Sequence, residues 1–94
     1  MFEIIRDEKG TVFLSGRLDA ASCAEARDLL DEIHESCLID FSSLDYIASA
    51  GLGLLVSVQR RLMAKEAGLS FRGLSPHLND VLTLAGFEGI FDFE

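Results

Sequence analysis

The chain has no tryptophan, a single proline, two cysteines and two histidines in 94 residues. One proline leaves no Pro-rich linker or polyproline segment. Cys23 and Cys37 stand alone, with no histidine at metal-ligand spacing from either. They read as small buried hydrophobes, not as a zinc site or a disulfide framework, and that usage fits a reducing compartment. Basic residues are scarce: 8 Lys and Arg face 16 Asp and Glu, a formal net charge of −8. Phosphate backbones and anionic headgroups are recognised through Lys and Arg, so neither nucleic acid nor a membrane surface is an expected partner. The opening residues MFEIIRDEKG carry charges where a signal peptide needs an apolar run. The uncharged residues from Tyr46 to Val58 fall short of the ~20 apolar residues that span a bilayer. The expectation is a cytoplasmic protein without direct membrane insertion.

Catalytic patterns are missing too. There is no G-x-S-x-G elbow, no H-E-x-x-H, no Walker A and no EF-hand loop. His34 late in an acidic helix and His77 at the start of another read as surface residues. No nucleophile, base and orienter come together in the sequence, so no enzyme, no cofactor and no metal site is expected.

What is present is strong patterning. Hydrophobic residues make up 49% of the chain and charged residues 26%, ordinary globular values that disfavour disorder. Phe2–Arg6 and Thr11–Leu18 read as strands joined by the polar turn Asp7-Glu8-Lys9-Gly10. The second has apolar groups at both parities, which predicts cover on both faces. Ser22 and Glu25 have capping-box spacing, with Asp19 as a cap one turn earlier. Ala26, Leu29, Leu30, Ile33 and Cys37 then keep helical spacing. Cys37–Phe41 is a short apolar run suited to a buried parallel strand. A second helix is predicted from Ser49 or Ala50 to about Ala67, with Gly68 as its left-handed terminator. Leu69–Leu74 reads as a strand. Ser75-Pro76 provides an N-cap followed by proline at the first helical position, Leu78, Val81, Leu82 and Ala85 form the stripe of a third helix, and Gly86 ends it. The tail from Phe87 to Glu94 is left as a last short strand or a packed turn. The order β-β-α-β-α-β-α requires crossovers, hence one α/β domain over residues 1–94 with a mixed, mostly parallel β-sheet packed against helices.

The glycines of Ser49-Ala50-Gly51-Leu52-Gly53 call for a reason, because glycine in a helix costs about 1 kcal/mol relative to alanine. They do not form a dinucleotide loop, since Val56 occupies the third glycine position. Two readings stand: close packing of the helix on the sheet, or a bare helix tip that another chain's backbone can approach.

From Leu38 to Leu55 the sequence resembles the core motif of the STAS family: an apolar strand, Asp40, an apolar residue and Ser42, then a short loop leading into Gly51-Leu52-Gly53 at the start of a helix. Gly16-Arg17-Leu18-Asp19 resembles that family's Gly-x-Leu-Asp signature. Leu69–Pro76 and Leu82–Phe87 resemble its closing strand and helix. The resemblance implies an anti-sigma factor antagonist (anti-anti-sigma factor), a partner-switching regulator of transcription that is not an enzyme. Its partner would be an anti-sigma factor or related serine kinase of the histidine-kinase-ATPase fold. The alternative implied is a STAS accessory subunit of an ABC-type lipid transport system. The partner-binding face it implies comprises Asp19, Ser42, Ser43, Ser49, Ala50, Gly51, Leu52 and Gly53. Asp40 is expected near the helix start, either in that face or accepting hydrogen bonds from the loop.

The chain departs from the pattern where it matters most. The family's phosphorylated serine directly precedes Gly-Leu-Gly, and that position is Ala50. The family's aspartate two places earlier is Ala48. Ser49 survives, as an N-cap or as a displaced acceptor. A protein that escapes the usual phosphorylation is therefore expected. Oligomeric state is open.

Overall fold

The computed structural model describes residues 1–86 and 89–94. In chain order the elements are β1 (Glu3–Arg6), β2 (Val12–Leu18), α1 (Cys23–Leu30), β3 (Cys37–Ile47), α2 (Ser49–Met63), β4 (Leu69–Arg72), α3 (Pro76–Leu84) and β5 (Asp92–Phe93). The strands form one sheet in the order β1-β2-β3-β4-β5, with β1 antiparallel to β2 and the other pairs parallel. The mixed, mostly parallel sheet expected from the sequence is thus present, with β5 as the short last strand. Phe87, where the tail was expected to begin, lies outside the described residues.

Each parallel step moves to the next strand in the same direction. Right-handed crossovers that all step one way leave their helices on one face of the sheet. Burial agrees. Val12, Leu14, Leu18, Ile39, Phe41, Leu44, Ile47, Leu69 and Phe71 point to the helices and are at most 5% exposed. On the other face Phe13 is only half-buried, Ser43 is exposed and Ile5 is 60% exposed. The expectation that β2 is covered on both faces is corrected: its second apolar parity, Phe13, lies on an open sheet face.

Local chemistry sets most boundaries. In the β1–β2 turn the Asp7 carboxylate accepts from the N–H groups of Lys9 and Thr11, each at 2.9 Å. The Ser22–Glu25 capping box does not form. Ser22 Oγ instead donates to the Arg17 carbonyl (2.9 Å) and accepts from Asp19 N–H (3.0 Å), while Asp19 Oδ1 accepts from Ala21 and Ser22. The helical stripe read as far as Cys37 stops early, because α1 ends at Leu30. Arg61 from α2 closes that end, donating to the carbonyls of Ile33 (2.7 Å) and Leu30 (2.8 Å). Its guanidinium thereby ties α2 to the turn that follows α1.

Two further differences stand out. β3 runs for 11 residues, well past Phe41, because β2 continues to pair with it as far as Leu18 opposite Ile47. α2 stops at Met63 and not near Ala67. It closes in a Schellman motif, with Ala67 N–H donating to the Leu62 carbonyl and Glu66 N–H to that of Met63. The left-handed residue there is Glu66 (φ 61°), so Gly68 is not the terminator. α3 follows the sequence reading: Ser75 Oγ accepts from Leu78 N–H at 3.1 Å, Pro76 opens the helix, and Gly86 turns left-handed at φ 78°.

One buried polar side chain ties three elements together. Gln59, 5% exposed, accepts from Leu69 N–H at 2.7 Å and donates to the Ile90 carbonyl at 2.6 Å. It joins α2 to β4 and to the segment entering β5. Beside it Phe71 stacks on Phe91, ring centres 4.4 Å apart, and meets Phe41 edge to face.

Candidate docking site

The chain passes from β3 into α2 with one residue between them. Ala48 is that residue; its N–H donates to the Leu18 carbonyl at 2.9 Å. This bond brings the end of β2, and with it Asp19, alongside the tip of α2. Ala48 is the N-cap and provides no side-chain cap, and the first turn holds no acidic residue. Ser49 is already helical, so its expected role as N-cap is not realised.

The two glycines have different jobs. Gly51 is buried against the sheet: a Cβ there would sit 2.8 Å from Leu18 Cγ and 3.0 Å from Ile47 Cγ1 and the Leu18 carbonyl oxygen. Contacts that short leave no room for a side chain, so Gly51 serves close helix–sheet packing. Gly53 has nothing within 4 Å of where its Cβ would be. Packing does not require it, and its ~1 kcal/mol helix penalty is uncompensated within the chain. Ser49, Ala50 and Gly53 are exposed and Leu52 is half-buried. Together with Asp19 they form an uncharged, side-chain-poor tip with one carboxylate beside it.

The remaining residues of the expected face fall elsewhere. Ser42 and Ser43 are exposed on the middle of β3, roughly 17–20 Å from Ala48 at the usual rise of a strand. Asp40 is not near the helix start. It is the register partner of Arg72 on β4, is 8% exposed, and accepts from Arg72 Nε and from Ser42 N–H, each at 2.8 Å. Burial alone pushes its carboxyl up, but the Arg72 and Ser42 hydrogen bonds outweigh it and hold it below the usual carboxylate range.

Arg17 and Tyr46 border the tip and were not singled out from the sequence. They are register partners on β2 and β3, with the Arg17 guanidinium 4.2 Å from the centre of the Tyr46 ring. Arg17 fills the variable position of Gly-x-Leu-Asp; only the register reveals its aromatic neighbour. Asp19 Oδ2 lies 3.9 Å from Arg17 Nε. His34 and His77 are exposed, and Cys23 and Cys37 are both free. Burial pushes the Cys37 thiol up, which keeps it protonated. Among the described residues no cluster of His, Cys, Asp and Glu could hold a metal, and no helix is long and apolar enough to cross a membrane.

The family model described as "Mlab, STAS domain" matches residues 2–92. The chain belongs to the STAS family. Relatives of this STAS domain include BtrV of Bordetella bronchiseptica, which bears the name of an anti-sigma factor antagonist and is 34% identical over 72% of this chain and 59% of its own. The anti-sigma-B factor antagonist of Listeria monocytogenes is 25% identical over 88% of this chain and 76% of its own. The chain therefore spans less than two-thirds of BtrV's length and about three-quarters of the Listeria protein's. Among solved structures, an anti-sigma factor antagonist from Mycobacterium paratuberculosis superposes with a TM-score of 0.82 at 19% identity, covering 99% of this chain and 83% of that one. The Bacillus cell fate determinant SpoIIAA in its phosphorylated form gives 0.71 at 20% identity, covering 100% and 91%. At such identities the structural likeness establishes the STAS fold alone.

Proposed function

We propose that this STAS domain is a cytoplasmic anti-sigma factor antagonist, a binding module without catalytic activity of its own. It docks on an anti-sigma factor of the serine-kinase, histidine-kinase-ATPase type through the tip of α2. The exposed Gly53 carries this reading: it is a helical glycine that packing does not need, on a surface that stays open. The docking face is Asp19, Ser49, Ala50, Leu52 and Gly53, with Gly51 seating the helix beneath it. Ser42 and Ser43 lie too far along β3 to join a contact centred on the tip.

The second part of the proposal concerns switching. In partner switching a phosphate on the helix tip adds about −1.5 to −2 charges inside the contact and separates the complex. Ala50 has no hydroxyl, so this domain stays binding-competent in the presence of ATP.

The test is a calorimetric titration of each anti-sigma factor kinase of the source organism with wild-type protein and with Gly53→Glu and Leu52→Glu. Circular dichroism checks the fold of each variant. A loss of at least tenfold in affinity, or about 1.4 kcal/mol, is expected for both variants. Wild-type affinity in both would end the proposal. Incubation with the bound kinase and ATP should leave Ser49 unmodified, whereas Ala50→Ser should gain a phosphate; a stoichiometric phosphate on wild-type Ser49 would overturn the switching part. If only the ATPase subunit of a lipid transporter binds the tip, the chain is the accessory subunit of that system instead.

A further inference from the structure

The open face of the sheet holds a concavity that the α2 tip does not use, and the strand register shows how it is built. One row across the sheet carries Glu3, Ser15 and Ser43; the next carries Ile5, Phe13, Asp40 and Arg72. Residues of one row share a face, and neighbouring rows are roughly 7 Å apart. Here β3 holds one residue more between the rows than β2 does. While β2 advances from Phe13 to Ser15, β3 advances from Asp40 to Ser43, which is a β-bulge. The extra residue turns Ser42 N–H onto Asp40 Oδ1. Gly73 lies against Ser42 Oγ, where no side chain would fit. Bulges of this kind re-aim side chains and are common beside sites.

A cavity of about 280 Å3 lies across these two rows, lined by Glu3, Ile5, Phe13, Ser15, Asp40 and Ser43, with Leu14. Its size is at the lower end for a small-ligand pocket. The charges on its wall are unequal. Asp40 is committed to Arg72 and to Ser42 N–H. Among the described residues Glu3 makes no ion pair and its carboxylate accepts no hydrogen bond. The cavity thus presents an aromatic ring, an aliphatic edge, two hydroxyls and one uncompensated carboxylate, on a chain of net charge −8.

We infer that this cavity binds a small organic cation, an aryl- or alkylammonium. Its ammonium sits on Glu3 and donates to the hydroxyls of Ser15 and Ser43, and its apolar body lies against Phe13 and Ile5. An ammonium has three donors to place, and the acceptors of the first row meet that need. The Phe13 ring, with the Arg72 guanidinium 6.0 Å from its centre, offers packing surface to the apolar body, not to the charge. A carboxylate ligand would face Glu3 and be repelled.

The experiment is an NMR titration of the whole chain, following backbone amides and Ile methyls, with 2-phenylethylammonium, 2-phenylethanol and phenylacetate as probes. Shifts that saturate with the ammonium are expected at Ile5, Phe13, Ser15 and Ser43, with no response to phenylacetate. Glu3→Gln should weaken ammonium binding at least fivefold, and Glu3→Lys should reverse the preference towards phenylacetate. Glu3 is on an exposed edge strand, so both variants fold, and their amide spectra verify it. No saturable shift at these residues, equal binding of 2-phenylethanol, or an unchanged affinity in Glu3→Gln would each overturn the proposal.

Discussion

Gly51 and Gly53 are separated by one residue, and a single added methyl group should act on them in opposite directions. At Gly51 it meets Leu18 and Ile47 at 2.8–3.0 Å. Overpacking of that kind costs typically ~1–3 kcal/mol. At Gly53 it meets nothing, and alanine removes the helix penalty of about 1 kcal/mol. Gly51→Ala should therefore lower the melting temperature, and Gly53→Ala should raise it by about 4–8 °C for a domain of this size. Thermal melts of the two variants check this; the same sign in both would show that the glycines are equivalent. At this scale the sequence marked the glycines and Asp19 but did not divide their labour, because burial of Gly51 depends on Leu18, 33 residues away in the chain. Asp40 teaches the same lesson. The family resemblance placed it near the helix start, whereas its partner is Arg72, reached through β4. Because its folded-state value is depressed, the Asp40–Arg72 contribution is present above the ordinary value of 3.8 and is lost as pH falls below it. Urea midpoints measured from pH 6 to pH 2.5 should fall less for Asp40→Asn than for the wild type.

Among the elements, helix ends and strand lengths were the hardest to read. α3 was legible because Ser75, Pro76 and Gly86 each perform one local task. β3 was read short because Ser42, Ser43 and Asp45 look like loop residues. Only pairing with β2 keeps them extended, and the bulge breaks the period-two pattern that would have shown Leu44 and Ile47 as core. The end of α2 was misplaced because Glu66 takes a left-handed conformation usually reserved for glycine. That conformation costs a non-glycine residue roughly 1–2 kcal/mol. Glu66→Gly should therefore stabilise the domain by up to ~1 kcal/mol, seen as a higher urea midpoint with an unchanged slope. The contact that holds α2, β4 and the tail in place is more vulnerable. Gln59→Leu keeps the volume but leaves buried Leu69 N–H without its acceptor, at a cost of ~1–3 kcal/mol. Its first sign should be faster amide exchange at Leu69 and through β5, ahead of global unfolding.

For the whole molecule, the order of elements was enough to give a mixed, mostly parallel sheet, since helices between strands force crossovers. The open face was not anticipated. Phe13 suggested a second covering layer, yet strands taken in unbroken order leave nowhere on that side for a helix to return. The consequence is two exposed regions built by different parts of the chain, the tip of α2 at the ends of the strands and the cavity on the back of the sheet.

The path of the first residues also has a bearing on how this protein is handled. The Met1 carbonyl passes directly over Gly16, so closely that no side chain would fit there, and Met1 and Phe2 border a hollow shared with Arg17 and Asp19. Any fusion placed ahead of Met1 is thus delivered to the rim of the proposed docking face, where a bulky tag would shade it. The strand order carries β5 to the opposite margin of the sheet, so a fluorophore or affinity handle joined after Glu94 emerges well away. The same binding assay run with the label at one end and then at the other would give unequal affinities, and the weaker of the two would reflect the label.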